Sequence, residues 1–416
     1  MRGDPLATID PRRLGERLQQ ARKARRKTQQ EVADYLGVAR TTVVALEKGE
    51  RRVQPTELVR LASLYGRQVG ELLRPTEPAA PFAVQLRATL APDEPIAAEL
   101  DSGTLEFQRL CEDYVELERL ADAPLPRHYP PERQVGRTGV ERAAEDLAAS
   151  ERTRLGLGDG PITNLRELLE HEVGLRIFYL DLPSTVSGLF SFDEALGGCI
   201  AVNRRHPEER RRNSLLHEYL HFLTTRYRSE VTVQDRYRRR PEHERLANAF
   251  APAFLMPSAG LSRRFNEAKR RRGDFTIADL CTLAAYYFVS VESLTRRLEE
   301  LRLVPLGTWD KVRDAGLRVQ EARALLNLPA PKVPEDLLPP RYVFLAVGTY
   351  RDGEISEGQL ARFLRLDRLE ARRVAAAVAS GEGGGEPLRI DRSAPAEAGA
   401  AATPPADRPA QENWLP

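Results

Sequence analysis

The stretch Asn213-Ser-Leu-Leu-His-Glu-Tyr-Leu-His-Phe-Leu223 encloses His217-Glu218-Tyr219-Leu220-His221. It is an apolar-rich run with helical character. On a helix, residues four apart lie one turn apart on the same face. His217 and His221 therefore point the same way and can grip one metal ion. Glu218 stands beside them, placed to take a proton from a metal-bound water. Zinc suits two imidazoles and a third N or O donor, with the fourth position left to water. The chain has only six histidines, so chance is a poor explanation of the spacing, and the reading turns on finding a third ligand.

Outward from this stretch, 416 residues suit two or three domains. A hydrophobic content of 41% with 30% charged residues fits a globular protein with a real core. The net charge of +2 gives no overall polyelectrolyte character. Cys111, Cys199 and Cys281 are far apart and form no CxxC pair, which argues for a reducing compartment rather than a disulfide framework. The first residues lack the apolar core of a signal peptide, and no apolar run is long enough to span a bilayer. The expected location is cytoplasmic, with no membrane partner.

Residues 10–75 read as an all-α domain. Leu14, Leu18 and Ala21 mark one face of a first helix. Thr28-Gln-Gln-Glu31 opens a second, with Thr28 as N-cap and Glu31 at the capping-box position. Val32, Ala33 and Leu36 supply its buried side, and Gly37 ends it. A third helix runs from Arg40 to Glu47 and stops at Gly49. Two short helices joined by a Gly-containing turn form the helix-turn-helix unit, whose second helix enters the major groove.

This domain resembles the phage-repressor-like (Xre/Cro) family through Thr28-Gln29, Glu31-Val-Ala33, Leu36-Gly-Val38, Thr42-Val43 and Leu46-Glu-Lys-Gly49. The resemblance implies binding to a double-stranded DNA operator, with Arg40, Thr41 and Thr42 facing base edges and Gln29 a phosphate. Arg51 and Arg52, just past the helix, are further backbone contacts. Ala39 stands where the family has a capping Ser, a loss worth about 1 kcal/mol. The bland alternative is a module kept for dimerisation or partner binding.

Residues 76–138 read as a linker and helical connector, Pro- and Ala-rich to about Pro95, then helical from Thr104 to Asp122. Helices follow from Gly139 to about Leu155 and from Leu165 to about His171. Strand-like runs come next at Leu175–Leu180, Val186–Phe192 and Cys199–Val202. A small sheet beside a metal-bearing helix suits a peptidase that holds its substrate as an added strand. The basic runs around the motif, His206–Asn213, Arg226–Arg228 and Asp235–Arg240, read as a solvated face.

A third histidine at the metzincin spacing is absent, since Tyr227 stands there. Glu242-His-Glu-Arg-Leu-Ala-Asn-Ala-Phe-Ala-Pro-Ala-Phe-Leu-Met-Pro257 is a helix-like run in which Glu244 and Asn248 lie one turn apart. His-Glu-x-x-His followed by Glu-x-x-Ala-Asn-x-Phe-Ala and Leu-Met-Pro resembles the ImmA/IrrE metallopeptidases over about Leu165 to Leu303. The resemblance takes in Val186-Ser-Gly188 and the Ile200–Asn203 strand. It implies that His217, His221 and Glu244 bind Zn2+, that Glu218 is the general base, and that Asn248 supports the ligand helix or the metal's outer shell. Mn2+ or Fe2+ also suits two His and a carboxylate. His243 is expected to point about 100° away from Glu244. Pro252 replaces the usual Ala and is expected to disturb the helix. Tyr227 and Tyr237 are candidates to assist the oxyanion.

The C-terminal stretch, 334–380, reads as a small helical module with Ser356 capping a short helix; a packing or dimer element is favoured over a second helix-turn-helix. Residues 381–416 read as a disordered tail. The expected fold is multidomain and mainly α: a helix-turn-helix domain, an α+β zincin-like domain at 139–305 with a small sheet, and the C-terminal module. The expected function is a zinc endopeptidase that binds DNA and cuts a repressor or antitoxin-like regulator, with a homodimer allowed. One competing reading is a transcription regulator whose peptidase-like domain is an inactive or ligand-sensing scaffold. Another is a repressor that is itself proteolysed.

Overall fold

The computed structural model describes residues 10–25, 27–65, 69–73, 82, 96–133, 139–228, 230–233, 241–329 and 338–380. The expected linker apart from Phe82, the run Asp235–Arg240 with Tyr237, and the expected tail lie outside the described residues.

The first unit comprises α1 (Pro11–Ala24), α2 (Gln29–Leu36), α3 (Arg40–Glu47), α4 (Pro55–Tyr65) and α5 (Val69–Leu73). Leu14, Leu18, Val32, Ala33, Leu36, Val43 and Leu46 share its core. The capping box at α2 is formed in both directions, and Gly37 closes the helix at φ 74°, a left-handed conformation that costs a side-chain-bearing residue strain. Ala39 makes no cap bond to α3, as its side chain dictates.

The second unit is built on a four-stranded sheet, β1 (Arg176–Leu180), β2 (Val186–Asp193), β3 (Gly197–Asn203) and β4 (Glu230–Val233), in the order β1-β3-β2-β4. β1 runs parallel to β3, and β2 runs antiparallel to both β3 and β4. β4 is additional to the three strands expected. It occupies the edge of β2 that a substrate strand could otherwise extend, so among the described residues the outermost strand on that side is β4.

Both faces of the sheet are covered, which is why its strands are nearly continuous apolar runs. Ile177, Phe190, Ile200 and Val202 point into one core, with α7 (Val140–Arg154), α8 (Leu165–Val173), α9 (Glu208–Thr224) and α10 (Glu242–Leu255). The helices α11 (Ser258–Arg272), α12 (Ile277–Tyr287) and α13 (Val291–Glu300) extend that core. Two short helices, α14 (Thr308–Asp314) and α15 (Val319–Leu325), follow.

Phe178, Leu189, Cys199 and Ala201 point the other way, as alternation along strands requires. They share a second core with α6 (Ile96–Leu120) and with α16 (Pro340–Arg351), α17 (Glu357–Leu364) and α18 (Arg368–Ser380). The connector helix and the C-terminal module are thus the second cover of the sheet. Polar ties reinforce this: the Glu118 carboxylate on α6 accepts from Arg176 of β1 at 2.6 Å and from Arg341 of α16 at 3.2 Å. α6 begins at Ile96, earlier than the expected Thr104, and Leu182 packs against it at Gly103, where a Cβ would be only 2.9 Å away.

The basic run before the motif is not a solvated face. Arg211 and Arg212 are buried. Arg211 donates to the His206 carbonyl at 2.7 Å, and Arg212 donates to that of Thr163 at 3.2 Å. They lie over the rings of Tyr179 and Phe288. A guanidinium fork that meets carbonyl oxygens and lies on aromatic rings is buried at low cost. Among the described residues, no single helix is long and apolar enough to cross a membrane.

Candidate metal centre and DNA-binding face

The motif lies in the buried middle of α9. His217 is 4% exposed, and Glu218 and His221 are fully enclosed. The helix is clamped from behind: Tyr219 donates to Glu151 of α7 at 3.0 Å and accepts from Arg154 at 3.0 Å. That contact fixes the rotation of α9, so His217 and His221 turn toward α10.

There they meet Glu244. Its carboxylate oxygens lie 3.3 Å from His217 Nε2 and 3.2 Å from His221 Nε2. Donors bound at about 2.0–2.1 Å to a tetrahedral ion stand about 3.3 Å from one another, so these separations are those of a ligand set. Neither Nε2 atom makes a well-directed hydrogen bond among the described residues, and the three donor atoms lie within 4.8 Å of one another. The two nitrogens and one carboxylate oxygen therefore fit a divalent metal.

Electrostatics agree with that donor chemistry. Burial lowers the His221 pKa to about 4, with Glu244 opposing and His217 reinforcing the shift, so the ring is neutral at neutral pH. Burial pushes Glu244 upward, but His217 and His221 outweigh it and hold the carboxyl below its ordinary range. A neutral imidazole and an ionised carboxylate are the forms that bind metal.

Glu218 faces β2. A Cβ placed on Gly188 would lie 2.5 Å from Glu218 Oε1, 2.9 Å from its Cγ and 3.0 Å from its Cδ. A side chain at this position would have to displace the carboxylate, because the strand backbone presses directly on it. The sequence signal is Val186-Ser-Gly188, part of the resemblance but without a role assigned by it.

The remaining expectations divide. Asn248 is exposed and donates to the Glu244 backbone carbonyl at 2.7 Å, bracing the ligand helix without touching the carboxylate. α10 continues through Pro252 to Leu255. Tyr227 is 74% exposed and packs on Phe192. His243 corrects the expectation that it points away. Its Nε2 lies 3.9 Å from Glu244 Oε1 and its ring stands edge-on to His221. Helical rotation separates the two Cβ atoms, yet an imidazole in the first turn of α10 is long enough to swing back to the rim.

In the first unit, Arg40 and Thr41 are exposed and Thr42 is half-buried at the start of α3. Gln29 donates to Glu47 at 2.9 Å, and Arg22 donates to the same carboxylate. This ties α1, α2 and α3 together. Arg51 pairs with Glu57 at 2.8 Å, and Arg52 is exposed.

Comparison with known families now adds to this geometry. Residues 18–72 match the family described as helix-turn-helix, and residues 170–299 match the family described as IrrE N-terminal-like domain, a peptidase family. The chain is an Xre-type helix-turn-helix joined to an ImmA/IrrE-type domain. No curated protein and no solved structure matches it. The helix-turn-helix/IrrE-like fusion is a DNA-binding regulator with a peptidase-family domain, and the three donors and Glu218 all lie inside the IrrE-like match.

Proposed function

We propose that this regulator is a zinc metalloendopeptidase that cuts one peptide bond in a partner protein, a repressor or antitoxin-like regulator, and so controls transcription at the DNA it binds. The observation that carries the reading is the convergence of His217, His221 and Glu244 at ligand spacing beside a carboxylate pressed against Gly188. The three donors hold the metal, zinc by preference, with Mn2+ or Fe2+ compatible with the same set. When bound, the metal supplies a Lewis acid and lowers the pKa of water in the site.

The chain's own residues do the rest. Glu218 accepts a proton from the attacking water at its carboxylate and returns it to the leaving amine. The strand backbone at Gly188 holds that carboxylate in one place. His243, at the rim beside Glu244, has the side chain to donate a hydrogen bond to the carbonyl oxygen as charge develops there. An extended substrate adds at the outer edge of β4.

The test is metal content by elemental analysis, with unaltered chain beside Glu244→Ala and Glu218→Gln. About one zinc per chain is expected in the unaltered protein and in Glu218→Gln, and loss of it in Glu244→Ala. Glu218→Gln then serves to trap the partner. No stoichiometric metal after reconstitution overturns the peptidase reading in favour of a ligand-sensing scaffold.

A further inference from the structure

The C-terminal module repeats the first unit position by position. Laid on Thr28–Glu47 without a gap, Ser356–Ala375 begins with a capping box, Ser356 with Gln359 in place of Thr28 with Glu31. Val32, Ala33 and Leu36 correspond to Leu360, Ala361 and Leu364, and all six are buried. Gly37, at φ 74°, corresponds to Arg365, at φ 59°.

The turn closes identically. Val38 N–H donates to the Ala33 carbonyl at 3.0 Å, and Leu366 N–H donates to that of Ala361 at 3.0 Å. In the next helix the buried pair Val43 and Leu46 corresponds to the buried pair Ala371 and Val374. Each unit has a preceding helix, α1 or α16, that starts at a proline.

A left-handed arginine is strained, because its Cβ crowds the following carbonyl oxygen. Here Arg365 is held by Glu106 and Asp113 of α6 at 2.7 and 2.8 Å. The turn is therefore imposed by packing, and the lack of a glycine hides it in the sequence.

The outer face of α18 carries the chemistry. The positions of Arg40, Val44 and Ala45 in α3 are taken by Arg368, Arg372 and Arg373, and all three arginines are exposed. Arg372 pairs with Glu357 at 2.9 Å across exposed surface, a solvent-screened interaction that a phosphate replaces readily. Glu370 is the acidic residue on the same helix. α18 packs on α16 and α17, leaving the arginine face outward. At 13 residues it is about 20 Å long and fits a major groove about 12 Å wide.

We propose that Ser356–Ser380 is a second helix-turn-helix and that α18 lays Arg368, Arg372 and Arg373 against double-stranded DNA. The chain then grips DNA through two such units, the second docked on the peptidase domain through α6. A protein occupant of the same face is the alternative that the test separates, because charge neutralisation of phosphates has a salt signature.

The experiment uses the full chain and a fluorescein-labelled random-sequence duplex of about 30 base pairs, read by anisotropy between about 50 and 200 mM KCl. Each basic contact to phosphate contributes about 0.9 to the slope of log affinity against log salt. R372A/R373A is expected to reduce the slope by about 1.8, so that the unaltered chain loses about 12-fold more affinity over that fourfold range. Arg368→Glu, at a second exposed position, is expected to weaken binding in the same way. Melting curves on each variant confirm the fold. A slope unchanged in R372A/R373A, with the affinity of Arg368→Glu also unchanged, overturns the second unit. R40A/R52A tests the first unit separately, and absence of duplex binding by the unaltered chain overturns both.

Discussion

Gly188→Ala tests the placement of the proposed base more sharply than removing Glu218 itself. The new methyl carbon would stand 2.5 Å from Glu218 Oε1, whereas ordinary contact begins at 3.4 Å, so the carboxylate must retreat by about 0.9 Å. β2 is held here by its partners, with Gly188 opposite Val202 of β3 and Thr232 of β4, although its register with β4 shifts between Val186 and Gly188. A displacement near 1 Å in a catalytic group costs on the order of 100-fold in rate, equivalent to about 2.7 kcal/mol of barrier. Overpacking adds about 1–3 kcal/mol of destabilisation. The three metal donors lie on α9 and α10, so metal content should hold. The assay is single-turnover cleavage of the partner trapped with Glu218→Gln, followed on gels beside zinc analysis and a melting curve. A folded, zinc-loaded Gly188→Ala protein that cleaves at the unaltered rate would refute the argument that this strand backbone positions the base.

Two further outcomes concern stability. Arg22→Ala strands the Glu47 carboxylate, 4% exposed, with Gln29 as a remaining donor; breaking such a buried pair costs about 3 kcal/mol at the lower end of the usual range, and the melting transition of the N-terminal unit should fall by more than 10 °C, roughly. Glu170 is wholly buried, accepts from Tyr114 at 2.5 Å, and has its pKa raised by burial against the pull of that hydrogen bond and nearby Arg166. Its folded carboxyl therefore keeps its proton to higher pH than in the unfolded chain. Its contribution is complete below the ordinary carboxylate range and is lost as pH rises through the raised folded value, with a slope of at most about 1.4 kcal/mol per pH unit. Glu170→Gln should flatten that part of a urea-melt pH series, and an unchanged slope would show that the carboxyl is ionised in the fold.

The helical pair His217 and His221 is legible because a spacing of four maps directly onto one helix face. The three strands β1 to β3 are legible from short apolar runs bounded by Pro and Gly. Glu244 comes only through resemblance, since nothing local distinguishes it from Glu242 in the same turn of α10. Gly188 and His243 acquire their places through tertiary packing: one from a strand crossing behind a helix, the other from a side chain reaching around its own helix. The buried arginines before the motif escape a sequence reading for the same reason. A run of three charges looks solvated until the carbonyls of Ile162, Thr163 and His206 are brought alongside. β4 escapes it because four residues followed by a basic run offer too little pattern to count as a strand.

The C-terminal module shows how a single residue can conceal a motif. The αL position that glycine marks at Gly37 is held by Arg365 through two ion pairs to α6. A reader of turns sees no break there, and the module looks like a packing element. It is that as well: Tyr342 joins the aromatic cluster of Tyr114 and Phe178 beneath the sheet. The two roles share one arginine. The contacts that force the left-handed turn are the contacts that dock the module, so the orientation of α18 is coupled to α6 and through Arg176 and Glu118 to β1.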